Sequence, residues 1–288
     1  MRRFFLLVVV ALAVSASPRA QQPATGLNIA PVYEGWEQNS DGSYDLIFGY
    51  FNRNWDERID VPAGAANTIE PGGPDQGQPT HFLPRRNQFV FRIRVPQDFG
   101  NRELVWTLTS NGKTEKAYGT LKPDYVVNST VMAANFGAGG QTGTMPDLAG
   151  NVAPVLKVEG DRTRRVKVGE PVSLTAVATD DGKPRTRPMQ GGGGRTVPNS
   201  ATGLRLVWFK YRGAGEVMFD PAQFSAWEDT RARANSPWAP GWRTPPVPPE
   251  NKWETRAVFS TPGEYVLRCL AHDGALTAAE NVTIVVTP

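Results

Sequence analysis

Hydrophobic and polar positions alternate along much of this chain with a period of two. In QFVFRIRV (88–95), Phe89, Phe91, Ile93 and Val95 fall on one face, with Arg92 and Arg94 on the other. That spacing describes a half-buried β-strand. ELVWTLT (103–109) repeats it with Leu104, Trp106 and Leu108, and Asn111-Gly112 then turns the chain into KTEKAYGTL (113–121). SYDLIFGYF (43–51) is rich in aromatic and β-branched residues and follows the turn signal Asp41-Gly42. No window of 12 or more residues here keeps a helical apolar stripe free of Gly and Pro. Residues 26–125 therefore read as a compact all-β domain. Its long loop IEPGGPDQGQPTHFLPRR (69–86) is of the kind in which surface function often sits.

The pattern then lapses. Residues 126–152 contain NFGAGGQTGTMPDLAGN, small and glycine-rich, and predict a flexible linker between independently moving domains. From Ala153 short strands return: APVLKV (153–158), RRVKV (164–168), VSLTAVA (172–178), LRLVWFKY (204–211), EVMF (216–219), TRAVFS (255–260), EYVLRCLA (264–271) and ENVTIVV (280–286). Short alternating strands at this spacing predict an antiparallel sandwich. The run VGEPVSLTAVATDDGKP, the tryptophan strand, FSTPGEYVLRCLAHDG and the terminal NVTIVV resemble a PKD-type immunoglobulin-like domain over residues 153–287. The resemblance implies a seven-stranded β-sandwich, exported and used as a spacer or as a binding or adhesion module. Two insertions depart from the compact pattern, at 182–203 and 221–253. The predicted fold class is thus all-β: two antiparallel β-sandwich domains joined by a flexible Gly/Ala-rich linker, the domain at 153–288 immunoglobulin-like.

Composition refines this picture. The 29 Gly and 25 Pro favour short strands and long loops over helices. A charged start at Arg2 and Arg3, an apolar run from Phe4 to Val14 and small residues at Val14-Ser15-Ala16 predict a cleaved export signal over residues 1–16. The apolar run is too short to span a bilayer, and no later segment is apolar enough, so no membrane span is expected in the mature chain. Of the formal net charge of +3, two units belong to Arg2 and Arg3. Neither half carries the dense basic stripe of a nucleic-acid footprint, so nucleic acid is not an expected partner. One cysteine excludes an intramolecular disulfide and a Cys-rich zinc site, and two histidines leave little for His-based catalysis.

Candidate chemistry sits in the loops. The second insertion carries Trp227, Trp238, Trp242 and Trp253, half of the eight tryptophans. Flat indole faces beside Arg and Asn suit sugar-ring stacking, and proline-stiffened backbone lowers the entropy lost on binding. The competing reading is that the rings anchor the insertion to the sandwich. Asp180 and Asp181 follow one strand and Asp273 another, and in this topology both loops lie at one end. Three carboxylates there could converge on a hard cation, Ca²⁺ being the candidate, although Asp-Gly is also an ordinary turn former. His272 beside Asp273, and His81 in its loop, lack the GxSxG, HExxH or phosphate-loop context of catalytic motifs. If on a strand, the Asp56-Glu57 pair would face opposite ways and make a poor acid–base pair. Cys269 shares the core face of its strand with Tyr265 and Leu267, and Tyr265 suits a corner role with its hydroxyl tied to backbone.

These features predict an exported, non-catalytic binding or adhesion module at the periplasm or cell surface, with a glycan or an envelope protein as partner. The alternatives are a structural spacer or accessory subunit of an envelope assembly, and a secreted hydrolase. A convergence of His81 with a carboxylate and a nucleophile would mark the last.

Overall fold

The computed structural model describes residues 23–138, 146–189 and 200–288. The expected export signal lies outside them, as do the glycine runs at 139–145 and 190–199. Sixteen strands account for nearly all regular structure among the described residues. No described helix is long and apolar enough to cross a membrane.

The first domain has eight strands. β1 (Ile29–Gln38), β2 (Tyr44–Asn52) and β6 (Arg85–Val95) form one sheet, and β4 (Asn67–Glu70), β7 (Leu104–Ser110) and β8 (Lys113–Gly119) a second, all antiparallel. The two-residue strands β3 (Ile59–Asp60) and β5 (His81–Phe82) pair separately. The sheets close on an aromatic core in which Trp106 meets Phe48 and Phe91 edge-on, with ring centroids 6.1 and 5.0 Å away. Alternation fails at one expected core position. The register slips around Gly49, where Phe48 pairs with Phe91 but Tyr50 pairs with Asn87, and Phe89 takes φ 51°. This bulge turns Phe89 out of the core, away from Phe91, and into a cluster between the domains.

The second domain is an immunoglobulin-like sandwich. β13 (Val217–Asp220), β14 (Lys252–Phe259), β11 (Val172–Thr179) and β9 (Val155–Val158) form one sheet in that order. β10 (Thr163–Lys167), β16 (Thr277–Thr287), β15 (Gly263–His272) and β12 (Arg205–Arg212) form the other, closed by the parallel pair β10–β16. The core holds Leu174, Trp208, Phe259, Leu267 and Ile284. Cys269 is fully buried there as a free thiol opposite Trp208, and burial pushes its ionisation up. The Tyr265 hydroxyl donates to the Thr261 carbonyl at 2.9 Å, the corner expected of it.

The expected flexible linker needs correction. Residues 129–135 form a helix, α1 (Ser129–Asn135), capped by the Asn128 carboxamide, which accepts the Val131 amide at 3.0 Å. Met132, Ala133 and Phe136 are buried with Ile47 and Phe89 of the first domain and Trp238, Ala275 and Leu276 of the second. The glycine-rich composition of the neighbouring stretch concealed these apolar residues, which wedge the two sandwiches together. The domains share one hydrophobic cluster and are not independent.

Candidate functional site

The four tryptophans do not form one platform. Trp253 lies in β14 and packs on the sandwich core, while Trp238 is buried in the interdomain cluster, 6.4 Å from the His272 ring. Trp242 contacts Phe224 at 5.5 Å and donates its indole N–H to Asn235 at 3.0 Å. Among the described residues no two of these four rings touch. The insertion had to anchor itself, and three of its rings serve that end. Trp227 differs: it is half-buried, Arg58 of the first domain lies 5.5 Å above its ring, and its Nε1 is buried without a partner.

Trp227 lines a cleft of about 420 Å³ where the insertion meets both sandwiches. Arg58, His81 and Leu83 come from the first domain, Phe209, Lys210 and Met218 from β12 and β13 of the second. Met218, on the edge strand β13, is 69% exposed at this cleft. The strand β12 explains the placement. Its run Val207-Trp208-Phe209 does not alternate, because β12 is covered on both faces: Trp208 enters the sandwich core while Tyr211 and Arg212 meet the first domain.

That contact is extensive. The Tyr211 hydroxyl donates to the Gly77 carbonyl at 2.7 Å, and Arg212 reaches both oxygens of Asp75 at 2.8 and 3.0 Å and the carbonyl of Gln78. The Arg268 guanidinium stacks 3.6 Å over the Tyr211 ring and donates to the Val90 carbonyl. Farther along, Arg231 of the insertion pairs with Asp56 at 2.6 Å and with Asp229 at 2.7 Å. The long 69–86 loop thus serves as a docking strip for the second domain.

His81 does meet a carboxylate. Its Nδ1 lies 2.6 Å from Asp60 Oδ1, and the Lys210 ammonium is 3.3 Å from Asp60 Oδ2 and 2.8 Å from the Gly215 carbonyl. Burial holds the His81 imidazole below its usual range against the pull of Asp60, so the neutral ring donates from Nδ1. Burial works to raise Asp60, but the His81 and Lys210 contacts outweigh it and keep the carboxyl below its usual range. No hydroxyl or thiol of the described residues hydrogen-bonds His81 Nε2.

The three aspartates feel one another's charge but are not grouped around a common cation site. Asp273 is fully buried and accepts the Ala275 and Leu276 amides at 2.5 and 2.7 Å and Asn151 Nδ2 at 3.1 Å. Asp180 accepts the Gly182 amide at 2.9 Å, and burial, with the charges of Asp273 and Asp181 adding, pushes its carboxyl up to about 6. Asp181 is occupied by the Lys183 amide at 2.9 Å. Among the described residues no three of His, Cys, Asp and Glu are grouped to hold a metal ion, so the three-carboxylate calcium set does not form. The carboxylates cap their own turns instead.

Sequence reasoning missed Arg58, Asp60, Arg205 and Lys210. The one local signal was a charged residue at either end of a strand apolar at both parities, which marks a strand with a second covering layer.

No family model matches the chain, and no curated protein matches it. Among solved structures it is similar to a conjugative transposon lipoprotein from Bacteroides eggerthii DSM 20697, with 10% identity and a TM-score of 0.26 over 46% of this chain and 95% of that one. It is also similar to immunoglobulin domains 1–4 of Sidekick-1, with 11% identity and a TM-score of 0.25 over 90% of this chain and 48% of that one. Domains 4 and 5 of the S-layer protein SbsC give 10% identity and a TM-score of 0.24 over 91% of this chain and 98% of that one.

Proposed function

We propose that the protein is an exported, non-catalytic binding module of the cell envelope, its second domain of PKD type, and that it holds a glycan in the cleft beside Trp227. The observation that carries this reading is Trp227 itself. It is the one tryptophan of the insertion that both walls a cleft of about 420 Å³ and keeps a buried indole N–H without an acceptor. A sugar ring offers C–H faces to the half-exposed indole. Arg58, stacked on the indole, adds donors at the rim. Supporting a non-catalytic role, Asp60 is shared between His81 and Lys210 as a tie between the domains.

The test is tryptophan fluorescence of the full chain titrated with neutral and uronic-acid oligosaccharides. A saturable change that disappears in Trp227→Ala and survives in Trp242→Ala is expected. No response to any glycan, or a response that survives Trp227→Ala, overturns the reading. The spacer alternative draws on the ionic and aromatic contacts that join the two sandwiches. It expects a flat titration and an interdomain angle unchanged by any ligand.

A further inference from the structure

We propose that Arg205 and His272 form a binding site for a single monatomic anion of halide size at the base of the insertion. The two residues are cross-strand partners in β12 and β15 and are among the most buried charged and polar groups, at 2% and 5% exposure. Arg205 Nη1 donates to the Ala201 carbonyl, but its Nη2 is buried and has no partner among the described residues. His272 Nδ1 accepts the Gly274 amide at 2.8 Å, which leaves the proton of the neutral ring on Nε2. That nitrogen, too, is buried and unpartnered. Two orphaned donors on adjacent strands are costly to leave unpaired, the charged one most of all.

Both residues line one small cavity of about 10 Å³, enough for one water-sized centre. Of the other lining residues, Ser225 carries a hydroxyl that can donate or accept, Trp238 an indole, and Val207, Pro237 and Leu270 complete an apolar wall. A water placed there finds two orphaned donors, but only the Ser225 hydroxyl among the lining side chains could accept its own two hydrogens. A halide only accepts, and so would satisfy both orphaned donors at once. The nearest opposing charge, Asp273, is committed to two backbone amides and Asn151 and makes no ion pair with Arg205. Burial, partly offset by Asp273, draws the Arg205 guanidinium down to about 9, so it remains a cation at neutral pH. The volume excludes sulfate and phosphate and points to chloride as the natural occupant.

The experiment is thermal unfolding of the full chain in sodium gluconate, chloride and bromide at constant ionic strength. The midpoint is expected to rise saturably with halide, by about 3 °C at 100 mM for a site of low-millimolar affinity. Arg205→Lys and His272→Asn should lose the dependence. An identical midpoint in all three salts, or the same gain in both variants, overturns the site. Should the variants not fold, bromide anomalous scattering from crystals of the wild type decides. A peak in hydrogen-bond reach of Arg205 Nη2 and His272 Nε2 supports the proposal, and an ordered water in its place refutes it.

Discussion

His272 should make this protein acid-labile in a measurable way. The imidazole is 5% exposed, lies 4.6 Å from the Phe136 ring and shares a strand pair with a buried cation. Burial first, and the Arg205 charge second, hold it well below 6.5. The unfolded chain regains a histidine near 6.5, so between that value and the folded one the unfolded state binds the extra proton. Stability is then complete above pH 6.5 and is lost as the pH falls. For a native ring that stays neutral throughout, lowering the pH from 7.5 to 5.0 removes about 2 kcal/mol through this one group. In His272→Asn the carboxamide oxygen can still accept the Gly274 amide, and the titration is gone. Urea unfolding of both proteins at pH 7.5 and 5.0, in chloride-free buffer, measures the difference. The variant starts lower because the ring is lost, but its decline with acid should be shallower by that amount. Parallel declines would falsify the assignment of a neutral, buried His272.

Three further outcomes follow from the same structure. Phe136→Ala, which empties a buried position in the interdomain cluster, should cost about 3–5 kcal/mol in urea unfolding and open residues 126–138 to limited proteolysis; a cost near zero would restore the flexible linker. Tyr265→Phe removes the hydroxyl that ties the start of β15 to Thr261 and should cost about 1 kcal/mol, read as a shift in the denaturant midpoint at unchanged slope. Asp180 has a folded value of about 6, above that of a free aspartate, so the native state gains stability from its protonated form, which fades as the pH rises through 6. Asp180→Asn should therefore stabilise the protein at pH 7.5 by about 1 kcal/mol, after discounting for solvent at a half-exposed site, and by nothing at pH 4.

What the sequence disclosed, and what it hid, divides along one physical line. Strands whose side chains meet one core and one solvent face, such as β7 with Leu104, Trp106 and Leu108, carry their own period and could be read directly. β1 could not, because Pro31 and Gly35 interrupt it. The structure explains Gly35: φ is 132°, and a Cβ there would lie 2.3 Å from the Tyr125 carbonyl oxygen and from Val127. The glycine is a site of close approach where the chain leaving the first domain crosses β1. The turn into α1 was hidden in the same way, since the glycines that follow it dominate the local composition. The junction was the least legible part. Asp60, His81 and Lys210 meet across 21 and 150 residues, and Arg58 meets Trp227 across a similar gap. No local period encodes such pairs. Their trace in sequence is negative: polar residues where a free-standing sandwich would show a clean apolar or clean solvent face. Arg205 and Lys210 on β12 are of that kind, and Arg268 on β15 is another. Each is buried in the assembled protein because the second sandwich, the insertion and the first domain together enclose a layer that neither sandwich encloses alone. The same enclosure creates the cleft beside Trp227, while the cavity at Arg205 and His272 is lined by the second domain and its insertion. The cleft is therefore a property of the junction, and a second domain expressed by itself should lack it, whereas the small cavity needs only the second domain and its insertion.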